Sequence, residues 1–130
     1  MPIDQPAVTP VHAFADRAWE QFLALNPLMA TVQGDDRWDD RLGDPGPDGR
    51  AATMAMIAGW EAEIDGFGGL DLSVEDRVTL GTIRFVIGRI REGHELRLWH
   101  FEAMDALEGP QAFVADLPRI QRGDDPERLR

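Results

Sequence analysis

The chain contains no cysteine, no lysine, no tyrosine and one serine. Without cysteine there can be no disulfide, no thiolate zinc site and no Cys nucleophile. Without lysine there is no Schiff-base amine and no phosphate-loop lysine, and all 13 basic residues are arginine. The lone Ser73 stands where a helix cap is needed, which leaves no second candidate for a serine triad. Positive charge is scarce as well. The 13 Arg face 24 Asp and Glu, for a formal net charge of −11. Nucleic acids and anionic membranes are held by basic surfaces, and the local clusters here are acidic, which argues against both partners. No apolar run is long enough to span a bilayer. Met1 to Pro6 lacks the basic and apolar regions of a secretory signal, so a cytoplasmic location is the default expectation.

The 130 residues, 43% of them hydrophobic, suffice for one domain or part of one. A chain of this size buries about two-thirds of its extended surface, which makes a modest core. The periodicity is helical throughout and predicts an all-α fold: three main amphipathic helices plus short ones. Helices are expected at about 10–26, 27–33, 48–66, 74–107 and 111–117, with an acidic loop over 34–47.

Thr9-Pro10 pairs an N-cap with a proline at the first helical position. Val11, Phe14, Ala15, Ala18, Phe22 and Leu25 then recur at helical spacing. Asn26-Pro27 interrupts this helix, because the residue before proline is pushed out of the α region. Pro27 starts a short second helix that Gly34 ends. Asp48 is placed to cap the next helix, which carries Met56, Trp60, Ile64 and Phe67 on one stripe with Met54 and Ile57 beside it. Gly66, Gly68 and Gly69 stop it.

Ser73-Val74-Glu75-Asp76 is a capping box with Asp in place of Glu. Two apolar stripes follow. One holds Leu80, Ile83, Ile87, Ile90 and Leu98, with His94 among them; the other holds Val74, Val78 and Phe85, joined by Gly81 and Gly88. Apolar residues on two sides predict a helix packed on more than one neighbour. A strand over Thr82 to Ile90 fits the β-branched residues less well than a helix fits the length and the cap. Glu108-Gly109-Pro110 is expected to stop the preceding helix, and Gln111 to Leu117 reads as one short helix that Pro118 closes. Asp124-Asp125-Pro126-Glu127 reads as a further helix start, and the expectation is that more polypeptide follows it.

Site chemistry is sparse. His94-Glu95-Leu96-Arg97-Leu98 begins like a helical zinc motif, but Leu98 stands where the second His must be. The acidic loop fails the calcium-loop pattern, since Gly46 and Ala55 occupy ligand positions counted from Asp44. It reads as a solvated loop in which Arg37 and Arg41 neutralise neighbouring carboxylates. No catalytic or metal residue is assigned. Met54, Met56, Trp60 and Phe67 suit a core better than a ligand pocket. Trp19, Trp60 and Trp99 are expected in the core, and Trp38, beside four Asp, must pack on something.

Two stretches are distinctive: Trp19-Glu20-Gln21-Phe22-Leu23-Ala24-Leu25-Asn26-Pro27-Leu28-Met29-Ala30-Thr31, and Gly34-Asp35-Asp36-Arg37-Trp38-Asp39-Asp40-Arg41-Leu42. Together with Leu72 to Arg77, Met104-Asp105 and Gly109-Pro110-Gln111, they resemble the N-terminal region of a bacterial family known as domain of unknown function 885. Its members are similar to all-helical zinc-dependent peptidases. The family's His/Glu zinc motif lies far downstream of the matched region, so the resemblance carries no catalytic or metal role onto this chain. Zinc and a peptide substrate are implied only for the longer members. It implies that Asn26, Pro27, Ala30, Thr31, Gly34, Asp35, Arg37, Asp39 and Asp40 are structural signature residues. It further implies that Trp38, Gly109, Pro110 and Gln111 face a channel, and that the chain forms the wall or lid of one. The expected partner is the remainder of a longer polypeptide. The alternative is a stand-alone acidic module that binds a protein or a second copy of itself, with Val74, Val78, Gly81, Phe85 and Gly88 as the contact face.

Overall fold

A computed structural model describes residues 8–102 and 110–120 of the chain, and every regular element among them is helical. The order is α1 (Pro10–Leu25), α2 (Pro27–Val32), a 3₁₀ turn (Asp36–Trp38), α3 (Pro47–Gly66), a second 3₁₀ turn (Phe67–Gly69), α4 (Val74–Glu95), α5 (Trp99–Glu102) and α6 (Pro110–Ile120). The all-α class read from the sequence is the class the chain adopts. No helix among the described residues is long and apolar enough to cross a membrane.

The helix starts follow local hydrogen-bond chemistry. Thr9 Oγ1 accepts the His12 N–H at 3.2 Å, and Pro10 fills the first position of α1. Ser73 and Asp76 form the expected capping box, with the Asp76 N–H donating to Ser73 Oγ and the Ser73 N–H donating to Asp76 Oδ2. Helix α3 differs from expectation. It begins at Pro47 with Gly46 as its cap, because Pro47 takes the first helical position and Asp44 Oδ1 accepts the Gly46 N–H at 2.7 Å. Asp48 is not the cap but an acid in the first turn, suited to the positive end of the helix. The Asp44 turn packs so closely on this start that a Cβ at Gly49 would lie 1.9 Å from the Asp44 carbonyl oxygen.

The helix ends are less regular. Helix α2 closes on Gly34 at φ +83°, with the Asp35 N–H on the Ala30 carbonyl at 2.9 Å and the Gly34 N–H on the Thr31 carbonyl at 3.0 Å. That is a Schellman motif, and glycine suits its left-handed position. Helix α4 does not run on to residue 107. It stops at Glu95 by the same device, with Arg97 at φ +53° in the left-handed position and the Leu98 N–H on the Gly93 carbonyl at 3.0 Å. No glycine or proline marks the break, and Arg tolerates that conformation at a cost of about 1 kcal/mol. Helix α6 runs from Pro110 through Pro118 to Ile120 rather than ending before that proline. Pro118 falls in its last turn, where only one backbone bond is forfeited.

Helices α1, α3 and α4 pack pairwise around one core. Val11, Phe14 and Ala18 come from α1, Ile57, Trp60 and Ile64 from α3, and Leu80 and Ile87 from α4, with Phe67 closing one end. The Phe14 and Phe67 rings meet in a tilted arrangement with centroids 5.7 Å apart. Burying a side chain such as Ile57 contributes about 1.5–3 kcal/mol. Four apolar residues depart from the expected pattern. Ile57, not Met56, lies deepest on α3, and Leu23 rather than Leu25 is fully buried at the end of α1. Leu98 falls beyond the break in α4 and is exposed. Trp19 is exposed too and stacks on Phe22 at 5.8 Å. Trp60 is core, as expected, and its indole N–H donates to Gln21 Oε1 at 2.7 Å. Trp99 is half-buried beneath the Arg50 guanidinium, 4.7 Å from the ring centroid.

The N-termini of α1 and α4 meet at one carboxylate. Asp76 is buried and accepts hydrogen bonds from the Thr9 hydroxyl at 2.7 Å and the Ser73 hydroxyl at 2.8 Å. The Thr9 bond, then those from Ser73, hold its carboxyl below the usual carboxylate range, against burial, which pushes the other way.

Candidate interaction face

The residues of the two distinctive stretches, Asp40 apart, come together at one corner, where α1, α2 and the first 3₁₀ turn join. Pro27 opens α2, and Ala30 is fully buried. Asn26 donates its side-chain amide to the Phe22 carbonyl at 2.8 Å, which secures the end of α1. The Thr31 hydroxyl is buried and donates to Asp39 Oδ1 at 2.7 Å. Asp35 caps the 3₁₀ turn by accepting the Arg37 N–H. Arg37 then binds two carboxylates: its guanidinium donates to Glu20 at 2.9 and 3.1 Å and to Asp35 at 2.6 and 2.9 Å. Arg37 holds the Asp35 carboxyl below the usual carboxylate range, and Asp35, with Glu20 behind it, raises the guanidinium above its ordinary value.

These donors and acceptors are spent on one another. Arg37 thereby ties Asp35 and Glu20 into one ion-paired cluster. Asp40 lies outside it, exposed and 3.7 Å from Arg41. Arg41 covers the Trp38 ring at 5.2 Å from the centroid. Trp38 is half-buried, and its indole N–H is a buried donor with no hydrogen-bond partner among the described residues. Gly109 lies outside the described residues, while Pro110 and Gln111 open α6. His94 is half-buried, with its ring 5.2 Å from that of Trp99. Among the described residues, no three His, Asp or Glu side chains are placed to hold a metal ion.

The pocket-forming reading of α3 finds a shallow groove between α1 and α3 of about 480 Å³, to which Met56, Trp60 and Gln21 contribute. Its floor is made of small residues, Ala52, Ala55 and Gly59. Its polar lining residues are Gln21, which accepts the Trp60 indole N–H, and Glu63, which pairs with Arg17.

The second expected face lies on α4. Residues 74, 78, 81, 85 and 88 are separated by alternating steps of four and three, which places them in one row along a helix. Val74, Val78 and Phe85 on that row are 69%, 64% and 67% exposed. Nothing lies within 4 Å of where a Cβ would stand at Gly81 or Gly88. The expectation that this helix packs on both sides is thus met on one side only: Leu80 and Ile87 face α1 and α3, while the other row stands bare among the described residues. Beside it, at Gly88, a groove of about 340 Å³ opens between α3 and α4, walled by Ile64, Ile87, Glu61, Asp65 and Arg84.

Sequence reasoning did not single out the charges along this row. Arg77, Arg84 and Arg91 recur every seven residues, so they line one flank of it. Arg77 donates to the Leu72 carbonyl, Arg84 lies 3.7 Å from Asp65, and Arg91 pairs with Glu61. Arg89, on the opposite flank, pairs with Glu92. The repeat was visible in the sequence, but only the assignment of α4's inner and outer sides gives it meaning. Comparison of this chain with protein-family models, curated proteins and solved structures finds no match.

Proposed function

We propose that this chain is a non-catalytic helical layer, one that further polypeptide covers along the outer face of α4. The observation that carries the reading is the bare apolar row of Val74, Val78 and Phe85 on a helix whose other side belongs to a well-packed core. A contiguous exposed apolar strip on a soluble helix marks a contact surface. The resemblance of the Asn26–Thr31 and Gly34–Leu42 stretches to the N-terminal region of a zinc-peptidase-like family makes the parent molecule a metallopeptidase-like hydrolase. In that setting the layer is a channel wall or lid, and the zinc chemistry belongs to another part of the parent. One feature of this chain suits such a role: the corner of the two distinctive stretches is closed on itself by the Arg37 ion pairs.

A photoreactive residue placed at Val78, with one at exposed Ala62 on α3 as control, tests this in the cell of origin. The expected product joins Val78 to polypeptide carrying a His/Glu zinc motif, in the same or an associated chain, and is absent from the control. Crosslinks only between copies of this chain would favour the self-association reading instead. Tight stoichiometric zinc binding by the isolated chain would contradict the non-catalytic assignment.

A further inference from the structure

The charges beside the α4 row specify what kind of surface covers it. A helix laid along the row meets Arg77, Arg84 and Arg91 down one side, at the spacing of its own heptads. Self-pairing of α4 makes poor use of them. An antiparallel second copy brings this arginine flank against itself, and a parallel one sets Arg84 near Arg89. Like charges facing each other across a helix pair oppose association. Gly81 and Gly88 leave notches in the row, and the groove beside Gly88 has an apolar base of Ile64 and Ile87 with Glu61, Asp65 and Arg84 around it. Those recesses have room for bulky apolar side chains.

We infer that the outer face of α4 is a docking surface for an amphipathic α-helix of opposite character, with large apolar residues at heptad positions and an acidic row along the flank that meets Arg77, Arg84 and Arg91. The inference rests on the covering-layer reading in taking this face as a contact surface, and it adds the chemistry of the occupant. Apolar side chains seat at Gly81, Gly88 and the adjoining groove, with Phe85 and Val78 packing between them. The carboxylates then share the arginines with Asp65 and Glu61.

The test uses the full chain and two labelled model helices of about three heptads. Both carry Leu at the seam positions, one with Glu and one with Lys on the flanks, and binding is read by fluorescence anisotropy. The Glu-flanked helix is expected to bind saturably and at least about tenfold more tightly than the Lys-flanked one. Phe85→Ser should abolish that binding, and the double variant Arg77→Glu/Arg84→Glu should reverse the preference, both with unchanged far-ultraviolet circular dichroism. Equal binding of the two helices would overturn the charge assignment while leaving the contact surface intact. Binding of neither would overturn both. A dimer in sedimentation velocity that Phe85→Ser dissolves would make the occupant a second copy. Binding to phosphatidylglycerol vesicles, with both helices ignored, would make it a lipid surface. Either outcome overturns the proposal.

Discussion

Helix α4 carries two apolar stripes built from the same kinds of residue, and they meet opposite fates. Leu80 and Ile87 are buried against α1 and α3, with Ile83 and Ile90 packed at the margin. Val74, Val78 and Phe85, on the other side, stand in the open. Apolarity alone does not separate the stripes. Their small residues and charges do. The inner row has bulk at every turn, whereas the outer row alternates bulk with Gly81 and Gly88 and runs beside a repeating arginine. The continuous stripe fills the core, while the notched one is exposed.

That contrast can be broken by substitution on either side. Ile87→Ala is expected to have the largest effect, lowering stability by about 2–5 kcal/mol through lost burial and a residual cavity, measured by urea denaturation. An effect below about 1 kcal/mol would place the inner stripe outside the core. Trp60→Phe comes next, at about 1–3 kcal/mol, since it removes both bulk and the hydrogen bond to Gln21. Trp38→Phe removes an indole N–H that has no partner among the described residues, so its stability should stay within about 1 kcal/mol of the parent. A larger loss at position 38 than at 60 would reverse that assignment.

Asp76 sharpens the comparison at the point where α4 joins α1. Its folded pKa lies below the unfolded value, so its stabilisation is present above the ordinary carboxylate pKa and is lost as pH falls through the folded one. Asp76→Asn should therefore be less stable than the parent at neutral pH, and the gap should narrow as pH drops from about 5 to about 3. A gap independent of pH over that window would mean that the carboxylate charge contributes nothing to the joint.

The legible parts of this fold were those governed by local chemistry. Thr9-Pro10, Pro27, Gly34 and the Ser73–Asp76 box each fix a helix end through bonds to residues a few positions away, and each performs that role in the structure. The break after Glu95 was hidden because Arg97, not glycine, takes the left-handed position. The choice of Ile57 over Met56 depends on the angle at which α3 meets its neighbours, which periodicity leaves open within one residue. Trp19 is expected in the core for its size, yet it lies about a quarter-turn off the apolar stripe of α1 and is exposed. The residues of the outer row of α4 follow from periodicity and stand exposed, while the arginine repeat beside them takes meaning only once the inner side of the helix is known. Within the signature corner, the Arg37–Asp35 pair follows from adjacency. The bond from Arg37 to Glu20 spans 17 positions and emerges only when α1 and the 3₁₀ turn come together.

The most direct measurement of the central claim pairs stability with dye binding for the double variant Val78→Ser/Phe85→Ser. If the outer row is bare and built for contact, chemical denaturation should give a stability within about 0.5 kcal/mol of the parent. Fluorescence of an apolar-surface dye such as 1-anilinonaphthalene-8-sulfonate should fall as well. A loss of more than about 2 kcal/mol with unchanged dye binding would mean that Val78 and Phe85 already belong to a core, and would contradict the account.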